Sequence, residues 1–190
     1  MKVKGHGQAT PMNQISYRRI RKHLLRPAHQ LLLDIAYYTG ERWGAILQLQ
    51  VEDVYQNVRR RIPRQSIIYR AATRKDNSTR EVPVHHLLES FLKAYDPPES
   101  GWLFPSPIDN RHHLSTRAAD NFFRRALERA GLDNQGYSPY STRRGFITQL
   151  NNNGTAIRTI QKLTGHKSLT VLSRYIEVSE QQLVNAIALL

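Results

Sequence analysis

Apolar residues recur at helical spacing along most of this 190-residue chain, and the period changes to a strand-like alternation once, between Arg64 and Val84. That single switch restricts the fold to a mainly α-helical domain with a small antiparallel sheet, an α+β arrangement. Ile15 to Leu24 and Ala28 to Tyr38 read as helices separated by Pro27, and Gly40 stands where a helix C-terminal stop belongs. A further helix starts near Arg42, with Ile46 and Leu49 turned inward. In the switched segment, Ser66 to Tyr69 and Arg80 to Val84 are strands, and Asp76-Asn77-Ser78 between them is turn chemistry. The product is a β-hairpin with Lys75 close to its tip. His86 to Tyr95 is helical and a Pro-rich loop follows through Pro107. Ser115 caps a strongly amphipathic helix whose stripe is Ala119, Phe122, Phe123, Ala126 and Leu127, with Gly131 as its stop. Three helices are expected at about 141–152, 155–164 and 168–176, with Thr155 and Ser168 as caps. A last helix from Glu180 places Leu183, Val184, Ile187 and Leu190 on one face.

Charge narrows the partners. Lys plus Arg number 28 against 15 Asp plus Glu, a net +13, so a polyanion is the first ligand to consider. No apolar run reaches the roughly 18–20 residues of a membrane span, and the basic start Met1-Lys2-Val3-Lys4 leads into Gly-His-Gly rather than a signal core, which reads as a cytoplasmic protein. The absence of cysteine excludes a disulfide framework, a Cys-type zinc site and thiol catalysis. Residues 1–14, rich in Gly, Pro and polar residues, are expected to form a flexible N-terminal arm, and 15–190 a single catalytic domain.

Arg42 and Arg143 each fall in the first turn of an expected helix, where unpaired backbone amides already favour an anion. Two such arginines can grip one phosphate through forked hydrogen bonds, although either one alone is ordinarily a solvated charge. Tyr175 adds a nucleophile. A phenol with a pKa of about 10 is roughly one part in a thousand ionised at pH 7, so its activation costs about 4 kcal/mol unless cations lower that pKa. Arg143, His166 and Arg174 are the candidates for that field. Nine residues of straight helix would carry Tyr175 about 13 Å from His166, so the pairing requires a bend near Ser168. Lys75, a long flexible acid at a hairpin tip, suits protonation of a departing oxygen. The adjacent pairs His85-His86 and His112-His113 are expected to point apart at the surface rather than to bind metal.

Over roughly residues 12–190 the chain resembles the catalytic domain of the tyrosine recombinases, the phage-integrase family. Four anchors carry the resemblance: Thr39-Gly40-Glu41-Arg42; Thr73-Arg74-Lys75 through Arg80-Glu81-Val82-Pro83-Val84; Tyr140-Ser141-Thr142-Arg143-Arg144; and Gly165-His166 with Tyr175 nine residues later. The resemblance implies that Arg42 and Arg143 bind the scissile phosphate and His166 adds a third donor. Tyr175 attacks to leave a 3′-phosphotyrosine, and Lys75 protonates the leaving 5′ oxygen. It implies strand breakage and rejoining on double-stranded DNA without metal, ATP or other cofactor. It also implies self-association on DNA, with the C-terminal helix (180–190) a candidate for docking on a neighbouring protomer. Arg117, Asn121, Arg124, Arg125 and Arg144 are the expected DNA contacts. Three positions depart from the family pattern. Tyr140 stands where a histidine is usual, Ala45 where an acidic residue is common three after the first arginine, and Gly145 where a threonine is common. The 14 leading residues are too few for the family's N-terminal core-binding domain. Two other readings stay open: a degenerate, non-catalytic DNA-binding module, and relaxation of the type IB topoisomerase kind.

Overall fold

A computed structural model describes residues 8–73, 78–175 and 180–188. Helix α2 (Pro27–Thr39) is its centre, with Leu31, Leu32, Leu33, Ile35 and Ala36 all buried. A helix apolar around most of its circumference must be covered on several sides. Helices α1 (Gln14–Lys22), α3 (Trp43–Ile46), α5 (His86–Ala94) and α7 (Tyr140–Asn152) provide that cover. Pro27 occupies the first turn of α2, where its missing N–H is harmless, and Gly40 ends the helix in the left-handed conformation, φ +62°. Any side chain at 40 would also strike the Phe146 ring, 2.3 Å from where a Cβ would stand.

The short helix α4 (Val51–Val54) leads into two two-stranded antiparallel sheets among the described residues. The expected hairpin is β3 (Ser66–Tyr69) with β4 (Arg80–Pro83), in the register Ile67↔Val82 and Tyr69↔Arg80. Ile67, Tyr69 and Val82 face the core while Ile68 and Glu81 face outward, as the alternation requires. The unforeseen one is β1 (Tyr55–Asn57) with β2 (Ile62–Pro63). Its turn holds Arg61 at φ +52°, a left-handed residue that is not glycine. Lys75 lies outside the described residues.

Helix α6 (Thr116–Arg129) begins as expected, with the Ser115 hydroxyl accepting from the Ala118 amide at 3.1 Å. Helices α8 (Ile157–Thr164), α9 (Leu169–Ser173) and α10 (Glu180–Ile187) complete the chain. Ser168 caps α9, but Thr155 does not cap α8: the N-cap is Ala156, without a side-chain bond. The helix expected near Arg42 is a single turn, and α9 stops at Ser173. His85 and His86 do not diverge. Their rings lie 4.2 Å apart because His85, in extended conformation, folds back to accept from the Leu87 amide and stacks on Tyr38.

The described part of the expected arm is fixed. Met12 is fully buried, its amide donates to Ser141 O, and the Thr10 amide donates to Gly136 O. Arg144 Nη1 donates to Ala9 O and Gln149 Nε2 to Met12 O. Gly145 permits this approach, since a Cβ there would stand 2.0 Å from the Met12 carbonyl oxygen. Asn13 and Ser16 then start α1 with a reciprocal capping box.

Candidate active site

The C-terminal ends of α2 and α8 meet the first turn of α7, and Arg143 joins them. Its side chain is fully buried, with Nη1 donating to Gly40 O at 2.9 Å and Nη2 to Thr164 O at 2.7 Å. Both acceptors belong to the carbonyls that a helix leaves unpaired at its negative end, a favourable place for a cation. Arg143 Nε is buried without a hydrogen-bond partner among the described residues, so the guanidinium keeps a donor in reserve. Burial, and next the nearby Arg42, lower its pKa to about 10, against the attraction of Glu41. It is still a cation at pH 7.

Arg42 is the N-cap of α3 and its side chain is exposed. Its amide donates to Glu41 Oε1 at 2.7 Å. Glu41 is only 2% exposed; its Oε2 pairs with Arg80 Nη2 and its Oε1 lies 3.6 Å from Arg143 Nη1. Arg80 reaches the site from β4 and also donates to Leu163 O. One carboxylate therefore serves two guanidinium groups and the backbone amide of a third arginine.

His166 follows Gly165, the left-handed cap of α8 at φ +66°. The Thr164 hydroxyl shares a 2.7 Å hydrogen bond with His166 Nδ1 and also bonds Ile160 O, which fixes the ring. Arg143 Nη2 lies 3.3 Å from Nε2. Burial first, then Arg143, Arg42 and Arg80, lower the His166 pKa to about 4, so the imidazole is neutral at pH 7.

The required bend is present. Helix α8 stops at Gly165, α9 restarts after Ser168, and Tyr175 returns to a ring-centroid distance of 5.6 Å from His166. The Tyr175 and Tyr140 hydroxyls are hydrogen-bonded to each other. Burial, and second the bond to Tyr175, push the Tyr140 pKa up to about 12, which leaves it a neutral phenol and a weak base. The structure thus brings Arg42, Arg143, His166, Tyr140 and Tyr175 together. The assembled groups combine a phenol oxygen with several guanidinium donors, a set able to hold a phosphate beside a nucleophile.

The expected DNA contacts divide. Arg117, Asn121 and Arg125 are exposed on α6, and Arg117 borders a depression of about 400 Å³ lined by Trp43, Thr116, Asp120 and Pro139. Arg124 is joined to Asp120 at 2.7 Å, and Arg144 is engaged by Ala9 O. Sequence reasoning assigned no role to Glu41, Arg80 or Thr164. Glu41 and Arg80 stand inside the quoted anchors, but their pairing spans 39 residues and has no local signature.

Residues 11–182 match the model of the Phage integrase family. The chain belongs to this family. Tyrosine recombinase XerD of Agrobacterium fabrum is 29% identical over 183 residues, covering 87% of this chain and 51% of the relative. XerD of Brucella suis is 29% identical over 160 residues, covering 80% and 48%. The chain spans about half the length of these relatives. Among solved structures, XerA recombinase superposes with a TM-score of 0.74 at 20% identity, over 95% of this chain and 65% of the other. XerH bound to its difH substrate superposes with 0.72 at 21%, over 98% and 55%. The fold of this phage-integrase member is therefore that of the tyrosine-recombinase catalytic domains, mainly helical with small antiparallel sheets.

Proposed function

We propose that this chain is a site-specific DNA recombinase that breaks and rejoins strands through Tyr175. The observation that carries the reading is the return of Tyr175 to the neutral His166 beside the buried Arg143. The Tyr175 oxygen attacks phosphorus and loses its proton; the bond from phosphorus to the 5′ oxygen breaks; that oxygen takes a proton, for which Lys75 is the candidate. A 3′-phosphotyrosyl bond retains the energy of the diester, so a 5′ hydroxyl from another strand reverses the step without ATP. Arg42 and Arg143 hold the non-bridging oxygens, and His166, neutral in the free protein, donates a further hydrogen bond once the charge of the phosphate has brought a second proton to its ring. Tyr140, neutral and bonded to Tyr175, orients the nucleophile rather than deprotonating it, and solvent receives the proton.

Family membership and the XerH complex with its substrate support double-stranded DNA as the partner. Arg117, Asn121 and Arg125 are the α6 residues proposed to contact it, and a DNA substrate in turn argues for work in the cytoplasm. Leu183, Val184 and Ile187 are 59%, 62% and 70% exposed on α10, an apolar face that supports docking on a neighbouring protomer. Among the described residues no helix is long and apolar enough to cross a membrane.

The test is relaxation of supercoiled plasmid in EDTA without ATP, quenched with SDS to trap protein on DNA. The wild type is expected to form an adduct and Tyr175→Phe none, with DNA binding nearly unchanged. An adduct that survives in Tyr175→Phe overturns the nucleophile. Binding without adduct in the wild type favours a non-catalytic module, the reading that a weakly basic Tyr140 supports. Relaxation without exchange between two duplexes favours a topoisomerase.

A further inference from the structure

The structure assigns Glu41 a positioning role: its buried carboxylate is the shared counter-ion that holds Arg80 and Arg143 in the site. The carboxylate is 2% exposed and the Arg80 side chain 10%, while Arg143 is wholly enclosed. Guanidinium groups so far from water repel one another unless an anion lies among them. Glu41 Oε2 pairs with Arg80, its Oε1 lies 3.6 Å from Arg143, and the same oxygen accepts the Arg42 amide, which fixes the turn carrying the exposed arginine.

The role rests on the strand-transfer reading for its link to phosphate, and the experiment separates the two. Wild type, Glu41→Gln, Glu41→Asp, Arg80→Met and the Glu41→Gln/Arg80→Met double variant are compared by thermal unfolding at pH 7. Adduct formation on DNA is timed between pH 7 and 10. Glu41→Gln is expected to lower the melting midpoint by about 10 °C, and the double variant to regain most of it, because the second change removes the buried cation whose charge Glu41 offsets. Adduct formation by Glu41→Gln is expected to fall roughly 100-fold as the arginines lose their placement, while DNA affinity stays within about threefold of wild type. Its alkaline limb is expected at lower pH than in wild type, since the attraction of Glu41 supports the charge on Arg143. Glu41→Asp restores the rate to within about tenfold. A Glu41→Gln protein with wild-type midpoint and rate overturns the role. So does a double variant no more stable than Glu41→Gln. If the wild type forms no adduct, the strand-transfer reading fails, and the melting comparison still decides whether Glu41 is the counter-ion. If Glu41→Gln does not fold, folding of the double variant decides it in the same way.

Discussion

A histidine enclosed by arginines stays neutral at a cost that depends on pH. His166 has its pKa lowered to about 4 by burial, then by Arg143, Arg42 and Arg80, whereas the unfolded chain has a value near 6.5. The unfolded state therefore binds a proton first as pH falls. Stability due to neutral His166 is fully present above about pH 6.5 and is lost progressively toward pH 4, by about 3 kcal/mol in all. His29, stacked on Phe122 at 3.7 Å with a pKa lowered to about 4 by burial and Arg26, contributes in the same window. Melting midpoints measured from pH 7 to 4 are expected to fall steeply in wild type and about half as steeply in His166→Gln. Equal slopes would show that His166 is not held neutral by its surroundings. In the proposed reaction a bound phosphate would act oppositely, its charge offsetting the arginines and favouring the protonated ring, so that the residue limiting acid stability of the free protein would serve the complex as a donor.

At the scale of elements, Gly145 has a use that helix propensity opposes. Alanine in a helix interior is worth about 1 kcal/mol over glycine, yet a Cβ at 145 would stand 2.0 Å from the Met12 carbonyl oxygen, where backbone must move. Gly145→Ala is expected to lose about 2 kcal/mol in a urea melt and to expose the Met12 amide to hydrogen exchange. Gly44→Ala is the control, because nothing lies within 4 Å of its Cβ position. A stable Gly145→Ala protein with a protected Met12 amide would contradict the clash. The same contact explains a limit of the sequence reading. Residues 8–13 offer one large apolar side chain, Met12, and their order comes from α7, far away in sequence. Elements whose signal is local were legible: the stripe and Ser115 cap of α6, the alternation of β3 and β4, and the glycine stops at 40 and 131. The β1–β2 hairpin was not, because strands of three and two residues around Arg59-Arg60-Arg61 show no alternation. In the site, residue types and the bend before Tyr175 could be read from spacing and chemistry. The Glu41–Arg80 pair could not, since only the folded chain brings β4 to the end of α2.

For the whole molecule, a net charge of +13 matters less than where the acids stand. Asp34, Glu41, Glu52, Asp53, Glu89, Asp96, Asp109 and Asp120 each pair with a named cation, so Arg21, Arg80, Arg70, Lys93, Arg61, Arg111 and Arg124 are partly neutralised in place. Arg18, Arg19 and Lys22 on α1 and Arg117, Arg125 and Arg129 on α6 remain exposed. Helices α1 and α6 pack against each other, so these cations are concentrated by the fold and not scattered. A polyanion held by such a set releases its counter-ions, and log affinity falls linearly with log salt by about 0.9 per phosphate contacted. Two arginines discriminate this from binding by overall charge. Arg117 is exposed beside the Trp43 depression, whereas Arg111 is exposed but chelated by Asp109 at 2.8 Å. Fluorescence anisotropy of labelled duplex DNA between 50 and 300 mM NaCl is expected to show a slope smaller by about 1 in Arg117→Ala and an unchanged slope in Arg111→Ala. Both substitutions remove one unit of charge, so equal effects would mean that net charge, and not the face next to the tyrosine, holds the DNA.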